Sequence, residues 1–141
     1  MNIVGISALF HDSACCVLID GVLVAAAQEE RFSRIKHDNS IPKHALRYCL
    51  EESGLTMADI DCLTYYEEPV IKLGRQIWMG LPGLVRRGDA LNRMDSQRPF
   101  REIREILGYD GPIETVEHHL SHAASSYYFS GFSESAILTV D

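Results

Sequence analysis

NIVGISA at residues 2–8, SACCVLID at 13–20 and VLVAAAQ at 22–28 decide the fold. Each run is rich in apolar and β-branched residues and has the length of a single strand. Asp20-Gly21 separates the last two, a two-residue connection of the kind that tight hairpins demand. Three consecutive antiparallel strands are therefore expected. Farther along, Pro42 sits where the first turn of a helix tolerates it, and Ser40 supplies a cap. Ala45, Leu46, Cys49 and Leu50 then recur at helical spacing as far as Gly54. DCLTYY at 61–66 reads as a strand, and residues 70–108 read as helix interrupted by Pro82, Gly83, Gly88 and Pro99. A short strand at 113–116, a helix over 118–129 and a final strand at 135–140 complete the pattern.

This order predicts an α/β domain with a mixed sheet and flanking helices. It resembles the first half of the ribonuclease-H-like domain of the actin and sugar-kinase superfamily. AILTVD at 136–141 is an apolar run that reads as a core strand with nothing after it to cover it. Residues 1–141 are accordingly expected to be the N-terminal part of a catalytic domain that continues beyond them.

The 141 residues, 46% of them hydrophobic and 23% charged, suit one globular domain or part of one. No basic leader precedes the first strand, and no run approaches the roughly 18 apolar residues of a membrane helix. The expectation is a cytoplasmic chain with no membrane association. Cys15, Cys16, Cys49 and Cys62 show no CxxC spacing and suit buried thiols. The net charge of -7 argues against general nucleic-acid binding. Charge is nonetheless uneven: residues 70–101 carry 7 basic and 2 acidic side chains. That basic island either meets a phosphate-bearing ligand or an acidic partner, or forms a solvated helical face.

Three clusters carry chemistry. In EHHLSHAAS at 117–125, His118 and His122 stand at i and i+4 on one helical face, where two imidazoles can share a divalent metal. His119 with His122 is the other available pair. In Phe10-His11-Asp12, at the turn after the first strand, His11 offers a general acid or base whose ring Asp12 can orient. The alternative is a turn histidine with no chemical part. In EERFSRIKH at 29–37, four potentially cationic side chains follow a strand end, either clamping phosphate or carboxylate groups or forming surface ion pairs. Asp12, Glu30, Arg31 and Lys36 make up the candidate substrate-binding set.

FHDSACCVLIDG at 10–21, QEERFSRIKH at 28–37 and EHHLSHAASSYYFSGF at 117–132, followed by AILTVD, resemble the O-carbamoyltransferases of the NodU/CmcH type, which decorate nodulation factors and antibiotics. The likeness runs from the first strand to the last residue, while 70–101 matches nothing in that pattern. The resemblance implies a two-part enzyme. A YrdC-like domain, absent from this chain, makes carbamoyl adenylate from carbamoyl phosphate and ATP, and an actin-like domain moves the carbamoyl group to a hydroxyl of a small-molecule acceptor. It further implies that His118 and His122 bind the metal, iron in the related proteins, that Asp141 joins them, and that His11 does acid/base work. A homodimer is an admissible assembly. The competing readings are an enzyme like the tRNA threonylcarbamoyl transferases, and a non-catalytic ATP-binding or interaction module.

Overall fold

The computed structural model describes residues 1–84 and 95–140, with side chains except at 76 and 79–84. Strands β1 (Asn2–Ser7), β2 (Ala14–Ile19) and β3 (Val22–Gln28) form the expected antiparallel meander. Its hairpin turns where the sequence predicts, with φ of 50° at Asp20 and 82° at Gly21. Two successive positive φ values match the right-handed twist of the paired strands. Strand β4 (Cys62–Tyr65) adds parallel to β1, and β5 (Ile113–Thr115) parallel to β4, giving the order β3-β2-β1-β4-β5.

Cross-strand register sorts the side chains into two faces. Val4 pairs with Val17 and with Leu63, and Ile6 with Cys15 and Tyr65, and all of them are buried. On this face lies α2 (Lys43–Ser53), whose Ala45, Leu46 and Cys49 complete the core. The helix stops at Gly54, where φ is 69°, a left-handed conformation that glycine adopts without a Cβ penalty.

The cap at the other end of α2 is not Ser40. Pro42 occupies the N-cap position and makes no side-chain cap bond, while Ser40 donates to Asp38 instead. The free N–H groups are taken by Glu29, which lies just after β3 and is 1% exposed. Its carboxylate accepts from the backbone N–H of His44 at 3.0 Å and of Ala45 at 2.8 Å, and from His44 Nδ1 at 2.5 Å. A carboxylate answers both the orphan donors and the positive end of the helix dipole. A serine hydroxyl does so less completely.

One turn of helix, α1 (Glu30–Ser33), follows β3. Helix α3 (Pro69–Leu84) runs through Pro82 and Gly83 rather than breaking there, and Gly88 lies outside the described residues. Pro99 opens α4 (Arg98–Leu107) instead of interrupting a helix, since the first turn needs no donor from it. The last helix is α5 (His118–Tyr127). Residues 135–140 are not a strand: among the described residues they have no ladder partner, and Ile137, Leu138 and Val140 are exposed. Apolar patterning suits a strand, but a strand is made by ladder bonds to a neighbour, and among the described residues this run makes none. Among the described residues, no helix is long and apolar enough to cross a membrane.

Candidate functional site

Because β2 is antiparallel to both β1 and β3, while β4 and β5 run parallel to β1, four strands end at the same edge of the sheet. The segments leaving that carboxyl edge are 8–13 after β1, 29–42 after β3, 66–68 after β4 and 116–117 after β5. Open α/β sheets bind their ligands at such edges. All three clusters singled out in the sequence lie there.

Helix α5 starts immediately after β5, with Glu117 as its cap accepting from Leu120 N at 3.0 Å and His119 N at 3.3 Å. Those two N–H groups hold the Glu117 carboxyl below the usual range. One helical turn then brings His118 Nε2 and His122 Nε2 to 3.3 Å. His119 turns elsewhere, its Nδ1 3.0 Å from Thr139 Oγ1. Of the two histidine pairs that the sequence offers, 118 with 122 is the one brought together. Asp141 lies outside the described residues.

Tyr66, just past β4, links the histidines to the other loops. Its ring meets the His118 ring edge-on at 6.0 Å, and its carbonyl accepts from Ser121 Oγ at 2.8 Å. Lys72 of α3 lies near the same ring, 4.6 Å from the centroid of Phe10, and pairs with Glu67, a carboxylate 3% exposed. Arg75 reaches Glu67 at 3.6 Å. Burial keeps the Tyr66 phenol protonated, its pKa pushed well above the usual range. Of the basic island, Lys72, Arg75, Arg98 and Arg101 all form ion pairs within the chain. The remaining members, Arg86, Arg87 and Arg93, fall outside the described residues.

The β1–β2 turn corrects one reading. Asp12 does not orient His11. Its Oδ1 instead accepts from His37 Nδ1 at 2.8 Å, and this bond, the largest cause, holds the Asp12 carboxyl below its usual range. His11 is exposed and stacks edge-on against Phe10, ring centroids 4.1 Å apart. Ser13 N is tied to Asp38 O at 2.7 Å and Leu9 N to Asn39 O at 2.7 Å, which lays the 34–39 loop against the turn and brings His37 to Asp12. Glu30 completes this corner, accepting the His37 backbone N–H at 3.1 Å.

Arg31, paired with Glu30 at 3.7 Å, reaches the sheet face opposite α2, and Lys36 is exposed. That face holds a cavity of about 770 Å³, whose walls include Cys16, Ala26, Gln28, Arg31, Tyr66 and Ser121. Cys16 is not a core thiol: it is half-buried and faces the cavity, while its neighbour Cys15, 2% exposed, points into the core. Desolvation raises the Cys16 thiol, and the Cys49 thiol and burial raise that of Cys15, which suits neither for nucleophilic work. Sequence reasoning gave Glu29, Tyr66 and Lys72 no individual role at the site. Only the Glu29-Glu30 doublet left a signal, one carboxylate turning inward and the other to the site.

A family model described as carbamoyltransferase N-terminus matches residues 2–76. The chain is 37% identical to an uncharacterized protein of Synechocystis sp., covering 99% of this chain and 25% of that one. It is also 37% identical to the nodulation protein NolNO of Sinorhizobium fredii, covering 93% of this chain and 19% of that protein. The chain therefore spans a quarter or less of these relatives' length. Among solved structures, YeaZ from Pseudomonas aeruginosa superposes with a TM-score of 0.51 at 11% identity, over 92% of this chain and 49% of that one. This likeness shows the fold alone, a mixed sheet with flanking helices in the ribonuclease-H-like arrangement.

Proposed function

Since the chain belongs to the carbamoyltransferase N-terminus family, we propose that it forms part of an enzyme that moves a carbamoyl group from carbamoyl adenylate to a hydroxyl of a small-molecule acceptor. The observation that carries this reading is the family match over residues 2–76, because that span contains both the β1–β2 turn and the loop after β3. The carbamoyl donor arises from carbamoyl phosphate and ATP in this reading.

The donor set at α5 suits a divalent metal such as iron. Two imidazole nitrogens 3.3 Å apart can each lie about 2 Å from one ion, and a helix fixes both. His118 and His122 would hold it with Asp141. A metal there would polarise an oxygen of the carbamoyl donor. Tyr66, kept as a neutral phenol, meets the His118 ring edge-on. Arg31, with its guanidinium at the cavity wall, suits the phosphate of the donor, and Glu30, Asp12 and Lys36 belong to the same loop corner or its rim. The resemblance gives His11 as the proton acceptor.

The test is transfer by the full-length protein from radiolabelled carbamoyl phosphate, with ATP and a panel of hydroxyl compounds. Labelled carbamoyl ester and AMP are expected. ATP consumption with no labelled ester on any acceptor contradicts the reading.

A further inference from the structure

His11 and the His118–His122 pair stand on different segments of the carboxyl edge, the first in the β1–β2 turn and the second on α5. A line of contacts joins the two segments, with the ammonium of Lys72 from α3 in its middle.

On one side, the His11 ring meets the Phe10 ring edge-on with centroids 4.1 Å apart, and Lys72 Nζ lies 4.6 Å from the Phe10 centroid. On the other, Nζ is 3.5 Å from the Tyr66 hydroxyl and 5.9 Å from that ring's centroid, and the Tyr66 ring meets the His118 ring at 6.0 Å. A cation within about 6 Å of a ring centroid is drawn to the negative face of the π-system. Lys72 thus meets the turn through Phe10 and the neighbourhood of the histidine pair through Tyr66.

The two ends of this line are held differently. Tyr66 is fastened to the sheet: its N–H donates to Ile6 O at 3.1 Å, its carbonyl accepts from Ser121 Oγ at 2.8 Å, and Glu68, two residues on, accepts from Thr115 Oγ1. Phe10 is exposed and follows Leu9, whose φ of 69° is left-handed. The 34–39 loop bonds the turn at Leu9, Asp12 and Ser13, and Lys72 meets it at Phe10.

The ammonium itself is fixed by the buried Glu67 carboxylate, which Arg75 also reaches at 3.6 Å. Neutralising that carboxylate takes one cation, and two are paired with it. Charge balance alone therefore does not account for the ammonium against Phe10.

We infer that Lys72 is a positioning residue for carbamoyl transfer: through Phe10 it sets where the β1–β2 turn, and His11 with it, stands relative to Tyr66 and the His118–His122 pair. This rests on the carbamoyl-transfer reading. Lys72 neither touches the reacting atoms nor moves a proton. Misplacing a reacting group costs rate even when every group is present, so the loss falls on kcat and little on the acceptor KM.

A double-mutant cycle in the full-length enzyme tests it. Phe10→Leu leaves both Glu67 ion pairs in place, Lys72→Met removes the ammonium while Arg75 stays paired, and Lys72→Arg keeps a cation that can lie over a ring. Phe10→Leu and Lys72→Met should each lower kcat about tenfold with the acceptor KM within about twofold, and the double variant should fall within about twofold of the poorer single one, because both remove the same contact. Lys72→Arg should recover most of the kcat lost with Lys72→Met. Fe²⁺ binding should stay within about threefold of the parent in all of them, since no proposed ligand changes. Losses that multiply to about 100-fold in the double variant, or a fall confined to KM, overturn the inference. A kcat that Phe10→Leu does not lower overturns it too, whatever the fate of Lys72→Met. A parent enzyme that transfers no carbamoyl group overturns the functional reading and this inference together.

Discussion

Glu29 accepts the backbone N–H of Ala45 at 2.8 Å, 16 residues along the chain, so the end of β3 and the start of α2 are fastened by one carboxylate. His44 adds its own N–H and its ring to the same group, which is 1% exposed. Removing such an acceptor leaves buried donors without a partner, the asymmetric and costly way to lose a hydrogen bond.

Glu29→Ala is therefore expected to destabilise the domain by about 2 kcal/mol or more, read from urea unfolding. Glu29→Gln should lose less, since an amide oxygen still accepts. An Ala variant as stable as the parent would mean that the carboxylate does not hold α2.

The hairpin makes a second, local prediction. Gly21 has φ of 82° and open space where a Cβ would go, so Gly21→Ala meets a conformational penalty and no clash. The expected cost is about 1 kcal/mol in the same unfolding measurement. No loss would contradict the left-handed backbone at this turn.

Acid should weaken the fold. Asp12, Asp59, Asp95 and Glu117 are each held below their ordinary values of 3.8 for Asp and 4.5 for Glu, mainly by hydrogen bonds to His37, Thr56, Arg101 and the His119 N–H in turn. A carboxyl depressed in the folded state binds its proton more readily when unfolded. Its stabilisation is complete above the ordinary value and is lost as pH falls through the folded one. Thermal midpoints should be flat above pH 5.5 or so and fall steadily below about pH 4.5. A midpoint that rises over that interval contradicts the assignment.

Much of this arrangement is legible in the sequence. Asp20-Gly21 gives away the hairpin, and the i, i+4 spacing of His118 and His122 gives away their meeting on α5. What local pattern cannot supply is contact across the chain. Asp12 and His11 are adjacent, so sequence reasoning joins them, yet the loop after β3 brings His37 to Asp12 from 25 residues away. Ser40 has the chemistry of a cap, but Glu29 arrives from the neighbouring strand with two oxygens and a full charge. The run at 135–140 shows the opposite failure, in that its apolar pattern is real while a strand also needs an edge to pair with.

If His118 and His122 hold a metal as proposed, His118→Ala or His122→Ala should weaken Fe²⁺ or Zn²⁺ binding about tenfold or more by calorimetry, and His119→Ala should leave it near the parent value. A loss confined to His119→Ala would reassign the ligands.

The claim that this carboxyl edge is the carbamoyl-transfer site is tested most directly by binding of a non-hydrolysable carbamoyl adenylate analogue to the metal-loaded full-length protein, compared with its chelator-treated form and with the His118→Ala/His122→Ala double variant. The account predicts saturable binding that weakens about tenfold or more in both, a loss of about 1.4 kcal/mol or more for the missing metal contact to the donor. Equal affinity in all three would contradict it.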